Sequence, residues 1–76
     1  MLWIFRSRYV RELDSIIEAM KINLQNNYKE PAHNERKKLG ARTEQLYSEG
    51  RINEQTYKKY MQIYNEYTIK LKDYKH

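Results

Sequence analysis

Residues 10–24 read VRELDSIIEAMKINL. Val10, Leu13, Ile17, Met20 and Leu24 step by 3, 4, 3 and 4, the repeat that lays side chains along one seam of an α-helix. Tyr9, Ile16 and Ile22 widen the seam into a stripe. Extended backwards, the seam passes Arg6 and reaches Trp3, so a first helix is expected over about 3–27.

Punctuation follows this helix on its C-terminal side. In QNNYKEP (25–31), Asn26 and Asn27 suit the left-handed backbone that ends helices. Pro31 disfavours helix at Glu30 and suits the first position of a new one. A second helix is expected over about 31–48. It is poor in apolar residues: Ala32, Leu39, Leu46 and Tyr47 are its main offering. Gly40 weakens it but allows another helix to come close. This helix is expected to be the least tightly held. In SEGRINEQ (48–55), Gly50 stands where a helix C-terminal glycine belongs and Asn53 suits an N-cap. Ile52 before that cap and Tyr57 four residues after it match a hydrophobic staple.

The third helix, expected over about 53–74, has the cleanest period. Tyr57, Tyr60, Tyr64, Tyr67, Leu71 and Tyr74 step by 3, 4, 3, 4 and 3. A stripe built of tyrosine buries broad apolar ring faces, yet each hydroxyl needs water or a partner. Such a face suits a half-wet contact better than a dry core. The fold class expected is therefore all-α, a small antiparallel bundle of three helices in one domain over 1–76.

Composition supports this and narrows the function. Two glycines and one proline are too few for an all-β chain of 76 residues. Absence of cysteine excludes disulfides and thiolate zinc sites and fits a cytoplasmic location. Lys, Asn, Ile and Tyr are abundant and have AT-rich codons, an association with bacterial or phage genomes. The longest apolar run, Met1–Phe5, falls far short of the roughly 20 residues of a membrane span. Its positive charges follow rather than precede it, so no signal peptide is expected. The net charge of +5 comes from five basic and four acidic residues in 1–30, four and three in 31–50, and six and three in 51–76. The excess is spread along the chain and forms no dense basic arm.

Catalytic chemistry has little foothold. His33 and His76 are far apart, and Pro31 separates Glu30 from His33, so His33 is expected in solvent and no metal or other cofactor is expected. Ser7, Ser15 and Ser48 lack a glycine elbow or a nearby histidine. The isolated glycines build no phosphate loop. Asp14 and Glu18, like Glu44 and Glu49, read as solvated helix faces. The chain is not expected to be an enzyme.

Met1–Phe5 sets the expectation about partners. Trp3, Ile4 and Phe5 point in different directions around one helical turn, and a single neighbouring helix cannot cover them all. The expectation is a small interaction or regulatory protein that self-associates, most simply as a homodimer, through Trp3, Phe5, Val10, Leu13 and Ile17. Tyr60, Tyr64 and Tyr67 would offer a second surface to a protein partner. The alternative is a nucleic-acid-binding accessory. Arg36, Lys37, Lys38 and Arg42 would contact phosphate, and the joint between second and third helices has the outline of a helix-turn-helix.

Overall fold

Ser7 starts the first helix. Its backbone is extended (φ −64°, ψ 158°), and its Oγ accepts a hydrogen bond from the Val10 N–H at 3.1 Å. Helix α1 then runs over Arg8–Gln25, α2 over Lys29–Ser48 and α3 over Glu54–Lys72. The computed structural model describes residues 7–72. Over that range the chain is an antiparallel three-helix bundle, as the periodicity implied. The spacing placed the start of this helix near residue 3; α1 starts at Arg8, with the extended Ser7 as its cap. Trp3, Phe5, Tyr74 and His76 lie outside the described residues.

Both turns use one device. Asn27 has φ 64° and Gly50 has φ 74°. At the first turn the Asn27 N–H bonds to the Leu24 carbonyl and the Tyr28 N–H to the Asn23 carbonyl, at 3.1 and 2.8 Å. At the second, Gly50 bonds to Tyr47 and Arg51 to Leu46, at 3.0 and 2.8 Å. Each is a Schellman motif, which pairs the last carbonyls of a helix while the chain turns away. Nothing lies within 4 Å of a Cβ built on Gly50, so its role is purely conformational. Gly50→Ala is expected to cost about 1 kcal/mol, and Asn27→Gly to cost nothing. Urea unfolding followed by circular dichroism measures both.

Helix α2 begins two residues earlier than expected. Pro31 sits in its first turn, where its missing N–H is one of the donors without an intrahelical partner, so the helix starts at Lys29. Helix α3 opens as expected on Asn53, whose Oδ1 accepts from the Thr56 N–H at 2.8 Å. The flanking Ile52 is buried, and Tyr57 packs against the core.

The core comprises Leu13, Ile16, Ile17 and Met20 of α1, Ala32, Leu39 and Leu46 of α2, Ile52 of the turn, and Tyr60 and Leu71 of α3. Ile22, placed on the stripe by its spacing, is instead 47% exposed. The ranking of the helices is also corrected. Helix α2 is the spine: α1 and α3 each pack along it, and their backbones scarcely approach one another. Its few large apolar side chains are the reason. Ala32, Gly40 and Thr43 are all buried small residues, which let neighbouring helices come near and bring the bulk themselves.

Candidate functional site

The tyrosine stripe of α3 is the second of the expected surfaces, and its hydroxyls show what it does within the chain. Tyr57 Oη donates to Glu44 Oε2 of α2 at 2.9 Å. Tyr60, only 1% exposed, donates to Asp14 Oδ1 of α1 at 2.6 Å. Tyr64 Oη accepts from Arg36 Nη1 of α2 at 3.4 Å. Tyr57 also stacks on Tyr47 of α2, with ring centroids 4.2 Å apart and planes 19° from parallel. The half-wet contact expected of this stripe is thus made with the chain's own helices. Each ring supplies apolar area, and each hydroxyl finds a polar group at the margin of the core. Asp14, read from sequence as solvated, is half-buried and anchors Tyr60; Glu44 is exposed, as that reading had it, and also accepts from Tyr57. The Glu44 carboxylate pushes the Tyr57 phenol above its ordinary value, first through this hydrogen bond and then through burial. Tyr67 differs from the other three, for its hydroxyl has no partner among the described residues. Lys70 Nζ lies 5.5 Å from its ring centroid.

Tyr64 serves a second contact. A Cβ added to Gly40 would fall 2.6 Å from its ring, so the glycine gives α3 the close approach that the sequence suggested.

The interface residues proposed on α1 are mostly core. Leu13 and Ile17 are buried in the single chain, while Val10 is half-buried against the core. Of the second set, Tyr60 is buried and Tyr64 and Tyr67 are half-buried.

The four basic residues divide in two. Lys37 and Lys38 are exposed, and Lys38 approaches Glu35 at 3.9 Å. Arg42 and Arg36 are half-buried and hold helices together. Arg42 grips Glu12 of α1 with both edge donors, Nε to Oε2 at 2.7 Å and Nη2 to Oε1 at 3.0 Å. That bidentate hydrogen bond, more than the charge attraction, holds the Glu12 carboxyl below its usual 4.5. Arg36 faces α3, where Nη1 donates to Tyr64 Oη and to Thr68 Oγ1, the latter at 3.1 Å.

Two features went unread in the sequence. Thr43 is fully buried, and its Oγ1 has no hydrogen-bond partner among the described residues. Thr68, by contrast, donates to the Tyr64 carbonyl one turn back at 2.8 Å, the usual outlet for a hydroxyl within a helix. Thr43→Val keeps shape and β-branching and removes the orphan. It is expected to raise stability by about 1 kcal/mol in urea unfolding. A loss of that size would show that the hydroxyl has a buried partner, such as water. The second is a shallow groove of about 330 Å³ between α1 and α2, lined by Glu12, Ser15, Ile16, Ala19, Glu35 and Lys38.

His33 is half-buried rather than in solvent. Because α2 starts at Lys29, Glu30 and His33 share one helix after all. No cluster of three or more metal-ligating side chains occurs among the described residues. None of their helices is long and apolar enough to cross a membrane. Compared with protein families, curated proteins and solved structures, the chain returns no match.

Proposed function

We propose that this chain is a small non-catalytic helical protein that works by binding other proteins, and that it self-associates through helix one and the apolar residues before it. The observation that carries the reading is an apolar run in the sequence, with two isoleucines left exposed on the described helices. Ile69 is 68% and Ile22 47% exposed, and five consecutive apolar residues, Met1–Phe5, precede the α1 cap. A contiguous apolar run is the usual material of an association surface, whereas single exposed isoleucines are ordinary. Leu13 and Ile17 are engaged in the core, so the association surface centres on Trp3, Phe5 and Val10. The C-terminal half of α3, with Tyr67 and Ile69, is the second surface.

Sedimentation equilibrium tests the assignment. Deleting residues 2–5 is expected to weaken self-association at least about tenfold, the loss of one or two buried large side chains, while the helical circular dichroism persists. Association at unchanged strength would remove residues 2–5 from the interface.

A further inference from the structure

Among the described lysines and arginines only Arg36 and Arg42 are half-buried, and they are treated differently. Arg42 turns its Nε–Nη2 edge onto the Glu12 carboxylate. Arg36 uses Nη1 alone, on two neutral hydroxyls. Its Nε is shut from solvent with no hydrogen-bond partner, and Nη2 has no acceptor among the described residues. No carboxylate lies within ion-pair distance of it there. Arg36 is therefore Arg42 without its carboxylate.

A guanidinium withdrawn from water and given no anion is an expensive arrangement. It is nonetheless held in place. The Tyr64 ring lies 5.6 Å from its Cζ, and the two hydroxyls fix Nη1. Accepting from Arg36 leaves the Tyr64 hydroxyl its own proton to donate. Among the described residues the surroundings hold basic residues and no competing acid. His33 and Lys37 lie within a turn of Arg36 on α2, and Lys72 follows Thr68 by one turn on α3. Of the nearby acids in sequence, the two among the described residues are turned elsewhere, and Asp73 lies outside those residues. Glu35 lines the α1–α2 groove near Lys38, and Glu66 accepts from Gln62 and lies beside Tyr67 and Lys70.

We infer that the α2–α3 surface at Arg36 is a carboxylate-binding site, and that its occupant is an acidic segment of a protein partner. One partner carboxylate takes Arg36 Nη2 and the Tyr64 hydroxyl proton, while Nε, shut from solvent, stays beyond its reach. The net charge of +5 favours such a partner over a second copy. The inference rests on reading the chain as a protein-binding module, and it adds the chemistry of the partner.

Fluorescence anisotropy with a labelled decaglutamate peptide tests it, using the full chain and three variants, Arg36→Lys, Arg36→Gln and Lys37→Gln. Arg36→Lys keeps the charge and loses the planar fork, so it stays informative if Arg36→Gln fails to fold. Circular dichroism reports folding in each. Both Arg36 variants are expected to bind about tenfold more weakly than the parent, and Lys37→Gln within about twofold of it. Equal loss at Arg36 and Lys37, or none at either, would overturn the site by showing only diffuse charge attraction. A labelled decathymidylate bound more tightly than decaglutamate, and lost with Arg36, would overturn the protein partner in favour of nucleic acid. Self-association measured on the same samples is a separate readout. If it persists while the Arg36 dependence fails, this inference alone falls.

Discussion

Leu39→Ala is expected to leave the chain barely folded at 25 °C. Leu39 is fully buried at the middle of α2, the helix on which both others rest. Truncating a buried leucine costs about 2–5 kcal/mol, because the lost burial is joined by a cavity that neighbours only partly refill. A 76-residue chain has on the order of 4–11 kcal/mol in total. Rigid helices on both sides of α2 restrict collapse into the gap, which places the expected loss in the upper half of the range. Ile69→Ala, at a site 68% exposed, is expected to change stability by less than about 0.5 kcal/mol. Urea unfolding monitored at 222 nm compares the two. A loss below about 1 kcal/mol at Leu39 would mean that α2 is peripheral.

Gly40→Ala is expected to destabilise, against the direction of helix propensity. In an open helix the change gains about 1 kcal/mol. Here the new methyl would sit 2.6, 2.9 and 3.0 Å from three atoms of the Tyr64 ring. The ring cannot simply swing clear, since its hydroxyl is bonded to Arg36 and its neighbour Thr68 shares that guanidinium. Overpacking of this kind costs about 1–3 kcal/mol, so a net loss near 1 kcal/mol is expected. Removing the ring should reverse the sign. In a Tyr64→Ala background, Gly40→Ala is expected to stabilise by about 1 kcal/mol, a coupling of about 2 kcal/mol across the cycle. Additive effects would show that α3 does not approach α2 at this point.

The helices were legible in the sequence because their evidence is local. The 3–4 steps of Val10–Leu24 and Tyr57–Leu71, the asparagines at 26–27, Gly50 and Asn53 each act within a turn of themselves. The boundary at Ser7 was legible in principle, since serine before an apolar repeat is an N-cap signal. The seam carried back through Arg6 to Trp3 hid it. Pro31 misled by one position class: it marks a first turn, and not always its first residue.

The role of α2 was not legible from counts of apolar side chains. A helix covered by two neighbours makes its contribution with Ala32, Gly40 and Thr43, which register as weak. The hydroxyl partners were hidden for a different reason. Tyr60 meets Asp14 across 46 residues of chain and Tyr64 meets Arg36 across 28, distances over which no spacing rule operates. The candidate surfaces shrank accordingly. Leu13, Ile17, Tyr60 and Arg42 were singled out as binding residues for being apolar, aromatic or basic at helical spacing. Those same properties make them core and helix-joining residues.

The solution mass of the full chain, by size-exclusion chromatography with multi-angle light scattering across a wide concentration range, bears most directly on the proposed self-association. A mass rising to twice 9.4 kDa or more, with the helical signal unchanged, is the expected result. A folded monomer at every concentration would contradict self-association and make Met1–Phe5 an intrachain cap or the docking site for a different molecule.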